Sequence, residues 1–224
     1  MIGRPRVHYR STDSTNERAR ELAVRGAPHG TLVTADVQTA GRGRQGRPWI
    51  AAPGTAVLMS VVLRRINGTL PLAAAVAVCE ALPLRALVKW PNDIWIGRRK
   101  VAGILVEGRP LEGWGVLGIG VNVSTEEFPA ELEGGATSLR REGLSMSTDE
   151  VLHRLLASLE GWLERPTPEV LAAWRTRDAL RGETVSWTGG SGRAAGVDEG
   201  GALLVDTSSG RIVLDAGEVT LQTT

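Results

Sequence analysis

The first third of the chain alternates between strand-like and helix-like patterns of hydrophobic positions. Short apolar or β-branched runs, typical of buried strands, occupy residues 7–9, 31–35 and 55–63. Residues 14–26 place apolar side chains on one helical face, and Ser14 with Glu17 predicts a capping box at the start of that helix. The alanine-rich run 70–82 predicts a second helix, which ends before Pro83.

Strand-like runs return in the middle of the chain, at residues 88–90, 93–96, 101–107 and 115–123. Gly97, Arg98 and Arg99 predict a hairpin tip between the second and the third of these runs. The last run, GVLGIGVNV, has glycines set into a strand. This is typical of a place where a ligand or another backbone must come close.

The remainder of the chain divides into a helical part and a strand-rich part. Ser147 and Glu150 predict a capping box for an amphipathic helix over 147–163, and Thr167 begins another helix that runs to about residue 180. After residue 182, four or five short strands alternate with Gly, Asp and Ser turns, which is typical of a small β barrel. We therefore predict an α+β fold, with one domain over 1–180 and a small C-terminal β-barrel domain over 181–224.

Composition narrows the class of protein. The chain has 224 residues, 42% of them hydrophobic, and a formal net charge of +1. A dedicated nucleic-acid binder carries a clear basic excess, so no nucleic-acid partner is expected. The N-terminus lacks the apolar stretch of a signal peptide, and the longest apolar run, 70–79, is about half of a membrane span. These features predict a cytoplasmic protein with no membrane partner.

Two residue types are scarce enough to be informative. Cys79 is the only cysteine, so the sequence excludes an internal disulfide and a cysteine-based zinc site. Of the 26 lysines and arginines, only Lys89 and Lys100 are lysines. Two explanations remain open. The scarcity is due to chance, or these two positions need compact ammonium groups that arginine cannot supply.

One loop concentrates positive charge. Residues 39–49 read TAGRGRQGRPW, with Arg42, Arg44 and Arg47 among three glycines and no acidic residue. The spacing fits neither a P-loop nor the GxGxxG motif of a dinucleotide-binding fold. The loop offers N–H and guanidinium groups to an anion, although a solvated basic loop has the same composition.

A second polar cluster lies in the segment VKWPNDIWIGRRK. Asn92 and Asp93 follow Pro91 and lie between Lys89 and Lys100. Such a cluster can bind an anion, position an amide or hold a metal through Asp93. A structural turn with an ordinary surface Lys–Asp pair has the same pattern.

Two further segments carry polar groups that suit either a ligand or the fold itself. Asn122 projects an amide from the end of an apolar strand, as a ligand contact or as a buried, satisfied amide. Ser14, Thr15 and Asn16 begin a helix, where they either cap it or hold a polar ligand. The three histidines do not pair with a nucleophile and GxSxG is absent, so acyl-enzyme chemistry has no support.

In this order and spacing, the segments DSTN, QTAGRGRQGRPW, KWPNDI, RKVAGILVEG and GIGVNV resemble biotin protein ligases, and the likeness extends over essentially the whole chain. The resemblance implies a mixed-sheet catalytic domain of the biotin/lipoate ligase type, followed by a small SH3-like β barrel. Because DSTN begins at residue 13, we expect the catalytic-only type, without the N-terminal DNA-binding domain of some relatives.

The resemblance also implies a reaction. Biotin and ATP would form biotinyl-5′-AMP and pyrophosphate with the help of Mg²⁺, and biotin would then pass to a lysine of a biotin carboxyl carrier protein or domain. The two anions that meet in the first step need cationic groups to offset their repulsion. The resemblance leaves a homodimer open.

Individual roles follow from the same resemblance. The catalytic positions are Lys100, Arg44 and Asp93, with Asp93 orienting Lys89 or receiving the acceptor lysine. The biotin-binding positions are Ser14, Thr15, Asn16, Gln38, Gly41, Arg42, Gly43, Arg44, Lys100 and Gly103. The ATP- and adenylate-binding positions are Arg44, Arg47, Trp49, Lys89, Asn92, Lys100 and Asn122. No residue is assigned to the metal.

A lipoate or octanoyl ligase or transferase of the same fold is the nearest alternative. The octanoyltransferases use a cysteine nucleophile, and Cys79 lies inside an apolar helical run, where it is badly placed for that role. A nucleic-acid module built around the basic loop disagrees with the small net charge. An inactive biotin-binding protein is disfavoured because Lys100, Asp93 and the loop arginines are all present.

Overall fold

The computed structural model describes residues 1–215 and 217–222 of the chain. Its main feature is a seven-stranded sheet with the strand order β1-β2-β3-β7-β6-β5-β4. The strands are β1 (Arg6–Tyr9), β2 (Leu32–Ala35), β3 (Ala56–Leu63), β4 (Leu87–Lys89), β5 (Asp93–Ile96), β6 (Arg99–Arg109) and β7 (Trp114–Asn122). The β1–β2 pair is parallel and the other pairs are antiparallel, so the predicted mixed sheet is confirmed.

Four helices cover the two faces of this sheet. They are α1 (Thr15–Val24), α2 (Leu70–Ala81), α3 (Thr148–Trp162) and α4 (Thr167–Arg175). The alanine-rich α2 is almost wholly buried in the larger core, which it shares with α3, α4 and one face of the sheet. On the opposite face, α1 packs Ala19 and Ala23 against a smaller cluster that includes Val62 and Val116.

Period-two alternation along β3 explains how one sheet serves both faces. Met59 and Val61 belong to the larger core, whereas Val62 belongs to the α1 cluster. Leu58 and Ser60 have the same parity as Val62 and therefore point to the α1 face. That face is the one on which the functional site lies.

The helix ends test three sequence predictions. The capping box of Ser147 and Glu150 is confirmed, with both of its hydrogen bonds present. The capping box of Ser14 and Glu17 is wrong: the Ser14 side chain makes no cap, and the Glu17 carboxylate instead accepts hydrogen bonds from Arg20 and Arg42. The last helix ends at Arg175 rather than near residue 180. The Asp178 bridge to Val88 then joins the chain to the edge of the sheet.

The C-terminal part forms a separate antiparallel sheet of five strands in the order β11-β10-β9-β8-β12. These strands are β8 (Thr184–Trp187), β9 (Gly190–Val197), β10 (Leu203–Thr207), β11 (Gly210–Leu214) and β12 (Thr220–Leu221). Together they agree with the small SH3-like barrel expected from the sequence.

The C-terminal sheet docks through its β9–β10 turn. Trp90 Nε1 donates a hydrogen bond of 3.0 Å to the carbonyl of Gly201, and Leu72 packs beside the same glycine. Val185, Leu203 and other apolar residues of this sheet are continuous with the main core. Within the described residues, no helix has the length and apolar character needed to cross a membrane.

Candidate active site

Three glycines hollow out the α1 face of the sheet. Gly103 on β6 pairs with Gly120 on β7, and Gly118 lies two residues before Gly120, so all three point to the same face. Side chains from elsewhere fill the space above them. A Cβ atom at Gly120 would lie 2.5 Å from the ring of Trp49, and one at Gly118 would lie 2.1 Å from Asn16 Oδ1. The three glycines form the floor of a cavity of about 280 Å³, and side chains in their place would clash with the residues that lie above it.

Polar residues line one end of this cavity, called here the ring end and formed by Ser14, Thr15, Asn16 and Gln38, with the buried Ser60 in contact with Thr15 and Asn16. Gln38 Oε1 accepts hydrogen bonds from the Thr15 amide at 2.7 Å and from the Thr15 hydroxyl at 2.9 Å. Ser60 Oγ lies 2.8 Å from Thr15 Oγ1 and 2.6 Å from Asn16 Oδ1. Because Gln38 Oε1 is occupied, its Nε2 group is left as the donor for a ligand.

A cationic group lies in the middle of the cavity. Lys100 Nζ is 2.6 Å from Asp93 Oδ1 and 5.6 Å from the centre of the Trp49 ring. The bulge between Ile94 and Trp95, where β5 pairs with β6, brings Lys100 opposite this part of the strand. Asp93 thus forms its ion pair with Lys100 and not with Lys89.

The basic loop folds back on itself over the cavity. The Gly43 amide donates to the Arg47 carbonyl at 2.7 Å, and the Trp49 amide donates to the Gly41 carbonyl at 2.9 Å. Between these bonds Gln45 and Gly46 have positive φ angles of 56° and 75°. Gly41 is needed for the return of the chain, because a Cβ there would lie 2.5 Å from the Trp49 carbonyl oxygen.

The three loop arginines have different surroundings. Arg42 donates to Glu17 at 3.1 Å, and Arg47 forms an ion pair with Glu218, which lies just before β12. Among the described residues, Arg44 has no ion pair and faces the cavity. It is the loop arginine whose charge remains available for an anionic ligand.

Two asparagines also line the cavity. Asn92 Nδ2 donates to the Ile104 carbonyl at 2.8 Å, which fixes the turn after Pro91. Asn122 Nδ2 donates to the Thr137 carbonyl at 3.0 Å, but its Oδ1 is buried without a hydrogen-bond partner. Such an orphan acceptor is costly unless a ligand supplies the donor.

The cavity brings together most of the residues that the sequence singled out. Fourteen of them line it: Ser14, Thr15, Asn16, Gln38, Arg42, Gly43, Arg44, Arg47, Trp49, Asn92, Asp93, Lys100, Gly103 and Asn122. Gly41 and Lys89 are outside the lining. Burial lowers the pKa of the Lys89 ammonium, and the neighbouring carboxylates of Asp93 and Glu218 offset part of this effect.

Sequence reasoning missed several residues that the fold adds to the site. Ser60, Glu107 and Glu218 contact predicted site residues, and Phe128 and Leu132 line the cavity. They come from four separate segments; Glu107 lies within the RKVAGILVEG segment, but nothing in that segment singled it out as a site residue. The glycine spacing in GVLGIGVNV indicated the floor of the cavity at Gly118 and Gly120, but none of these residues.

Nucleophilic catalysis by the cysteine is excluded by its surroundings. Cys79 is buried in α2, and burial raises the pKa of its thiol to about 12. The thiolate, which is the nucleophilic form, is therefore negligible at neutral pH. Among the described residues, no group of three or more His, Cys, Asp or Glu side chains is arranged to hold a metal ion.

Residues 8–123 match the biotin/lipoate A/B protein ligase family, and residues 182–221 match the biotin protein ligase C terminal domain. The bifunctional ligase/repressor BirA of Bacillus subtilis is 35% identical over 94% of this chain and 72% of its own length. The biotin--[acetyl-CoA-carboxylase] ligase of Paracoccus denitrificans is 36% identical over 93% of this chain and 97% of its own length.

A solved structure gives the same assignment. The biotin protein ligase from Aquifex aeolicus, in complex with biotin and ATP, matches with a TM-score of 0.85 and 30% identity, over 99% of this chain and 100% of that one. The chain belongs to the biotin/lipoate A/B protein ligase family, and within it to the biotin protein ligases, whose C-terminal domain it carries.

Proposed function

We propose that this chain joins biotin to ATP, releases pyrophosphate, and passes biotin from the resulting biotinyl-5′-AMP to a lysine of a biotin carboxyl carrier protein or domain. One observation carries the proposal. A single cavity contains an ordered polar end, a central ammonium group, a facing arginine and an unsatisfied buried amide oxygen. These match, in order, the ureido ring, the carboxylate, the phosphates and the adenine of the intermediate.

The ring end is proposed to hold the ureido ring. Ser14, Thr15, Asn16 and Gln38 lie there, with the Gln38 amide group oriented by Thr15. Gly103 lets the ring of biotin approach the strand backbone closely. Trp49 lies across Gly103 and Gly120, so ligand entry requires the indole to move off the glycines.

Lys100 is proposed to serve the reacting groups. In the first step a biotin carboxylate oxygen attacks the α-phosphorus of ATP, and pyrophosphate leaves. An ammonium at the centre of the cavity offsets the repulsion between the carboxylate and the phosphate. Arg44 covers the phosphates from the loop, with the Gly41 and Gly43 backbone at the base of the loop. Arg42, whose guanidinium pairs with Glu17, contributes through that backbone rather than through its charge.

Trp49, Asn92 and Asn122 are proposed to form the adenine side. The unpartnered Oδ1 of Asn122 suits the exocyclic amino group of adenine, which is a donor. Phe128 and Leu132 supply apolar surface beside it. Arg47, which pairs with Glu218, and the more buried Lys89 are proposed to add positive charge around the leaving phosphates.

Mg²⁺ is proposed to arrive with the nucleotide. The described residues offer no cluster of carboxylates for a resident ion, and Asp93 is already paired with Lys100. Mg²⁺ is commonly held by substrate phosphates with few protein ligands. The ion would reduce the charge of the triphosphate, while the protein groups orient the reactants.

The second step is proposed to take place at the same cavity. The acceptor amine attacks the carbonyl of the mixed anhydride, AMP leaves, and the amine loses a proton. Asp93, once Lys100 turns to the ligand, is placed to attract the incoming lysine. Because only the neutral amine attacks, the transfer rate should rise with pH. We also propose a cytoplasmic location, and the domain division 1–180 and 181–224, which the separate C-terminal sheet supports.

The experiment that tests the function is incubation with biotin, ATP and Mg²⁺, followed by a mass-spectrometric search for biotinyl-5′-AMP. Lipoate in place of biotin is the control for the related ligases. We expect the biotin adenylate and no comparable lipoyl adenylate. Formation of the lipoyl product alone would overturn the proposed substrate.

A further inference from the structure

Asn16 is held from three directions at the ring end of the cavity. Its Oδ1 accepts a hydrogen bond of 2.6 Å from Ser60 Oγ, and its Nδ2 donates one of 2.7 Å to Glu107 Oε2. Gly118 leaves just enough room for the amide. Asn16 and Ser60 are both buried, so the amide has little freedom to reorient.

Glu107 determines which way this amide faces. A carboxylate only accepts hydrogen bonds, so the amide must turn its NH₂ group to Glu107 and its oxygen to Ser60. Ser60 alone would not impose this choice, because a hydroxyl both donates and accepts. With one N–H committed to Glu107, the remaining N–H of Asn16 is the group left for the cavity.

The same carboxylate also lies beside the basic loop. Glu107 Oε2 is 4.0 Å from the Arg42 guanidinium, which Glu17 contacts at 3.1 Å. Glu17 follows Asn16 on α1, and Glu107 lies on β6. The Arg42 end of the loop therefore rests on two carboxylates, one of which also orients the ring end.

We propose that Glu107 is a positioning residue, which fixes the Asn16 amide for the ligand ring and at the same time holds the Arg42 end of the loop beside it. The inference rests on the proposed function, in which the biotin ring occupies this end. Its consequence is that ring recognition and loop position share one side chain. A ligand that displaces the Asn16 amide would therefore also change the position of the loop.

Three variants separate the two contacts. Glu107→Ala removes both, Glu107→Gln keeps an acceptor oxygen for Asn16 but loses the charge, and Glu17→Gln weakens the hold on Arg42 without touching Asn16. Glu112→Gln is the matched control, because Glu112 pairs with Arg109, the last residue of β6, rather than with the loop. For each variant we would measure biotin affinity by calorimetry, kcat at saturating biotin, and the rate of trypsin cleavage within residues 39–49.

We expect Glu107→Ala to weaken biotin binding about tenfold, with kcat at saturating biotin within about twofold of wild type. Glu107→Gln should restore the affinity and, like Glu17→Gln, should be cleaved faster in the loop. Biotin affinity of Glu107→Ala within twofold of wild type, or equal losses for Glu107→Ala and Glu107→Gln, would overturn the proposal. If wild type itself bound no biotin, the proposed function would fail instead.

Discussion

The Nζ atom of Lys100 lies 2.6 Å from Oδ1 of Asp93, in the middle of the cavity and beneath the Trp49 ring. This pair keeps the ammonium at the point where the two substrates must meet. Both side chains are partly shielded from solvent, so the attraction is screened less than in a surface pair. A ligand carboxylate would compete with Asp93 for the same ammonium.

Lys100→Arg tests whether a compact ammonium is required. The planar guanidinium keeps the charge but cannot occupy the same small space between Asp93 and the Trp49 ring. We expect pyrophosphate release at saturating biotin and ATP to fall at least about 100-fold. Arg99→Lys, one residue away and paired with Glu142, is the control and should stay near wild type. Near-normal release by Lys100→Arg would remove the argument for an ammonium.

Asn122→Ala tests whether the unpartnered Oδ1 atom of Asn122 accepts a hydrogen bond from adenine. Without this acceptor, the enzyme should lose its preference for ATP over a purine triphosphate that lacks the amino group. We expect KM for ATP to rise about tenfold and KM for the analogue to change much less. Asn67→Ala, in a surface turn, is the control. Equal increases for both nucleotides would show that Asn122 does not read the amino group.

Gly120→Ala tests the glycine floor of the cavity. The added methyl group would lie 2.5 Å from the Trp49 ring, so the indole and the ligands that share this surface must shift. We expect kcat/KM to fall about 100-fold, as misplacement by about 1 Å commonly causes. Gly161→Ala is the matched control, since a Cβ atom on this helical glycine meets nothing within 4 Å. It should leave activity unchanged and stabilise the protein by about 0.5–1 kcal/mol.

Glu218→Gln tests the link between the C-terminal sheet and the loop. The Arg47–Glu218 pair is partly exposed, so its loss should cost at most about 1 kcal/mol. We expect trypsin to cleave the loop about twofold faster, and the difference to disappear at about 1 M salt. Glu183→Gln removes the Arg98 pair instead and should not alter loop cleavage. A salt-independent effect would point to packing rather than charge.

Cys79→Ala separates the ligase from a cysteine-dependent transferase. Because the thiol pKa is about 12, native Cys79 should resist alkylation at pH 8. The variant should retain adenylate formation and transfer, with a stability loss of about 1 kcal/mol from the small cavity. Loss of transfer with an unchanged melting temperature would instead reveal a covalent intermediate on this sulfur.

Local patterns predicted the elements of this fold well, because each buried strand and helix carries its own hydrophobic period. The exceptions are positions whose local structure depends on contacts with residues distant in the sequence. Glu17 fits a capping box with Ser14 by spacing alone, yet Arg20 and Arg42 bind its carboxylate in the folded protein. The helix after Thr167 ends early because the chain turns to pair Asp178 with Val88.

The sequence predicted the site residues that stand out within the motifs. Lys100, Asp93 and the loop were recognisable because their residue types stand out along the sequence. Ser60 and Glu107 were not, although Glu107 lies within the RKVAGILVEG segment, since a serine or a glutamate in a strand is ordinary until the register shows what it faces. Lys89 shows the converse: it belongs to the KWPND motif but lies outside the cavity lining.

The bond from Trp90 to Gly201 places an indole of the KWPND segment under the C-terminal sheet. Trp90 is 3% exposed, and that turn covers its Nε1 edge. A shortened chain that stopped before the C-terminal sheet would present this aromatic group, together with Leu72, to water. Such a truncation should therefore aggregate, and its loss of catalysis could not be attributed to missing ligand contacts. Replacing the turn residues one at a time, with the sheet retained, is the way to learn what this sheet contributes to turnover.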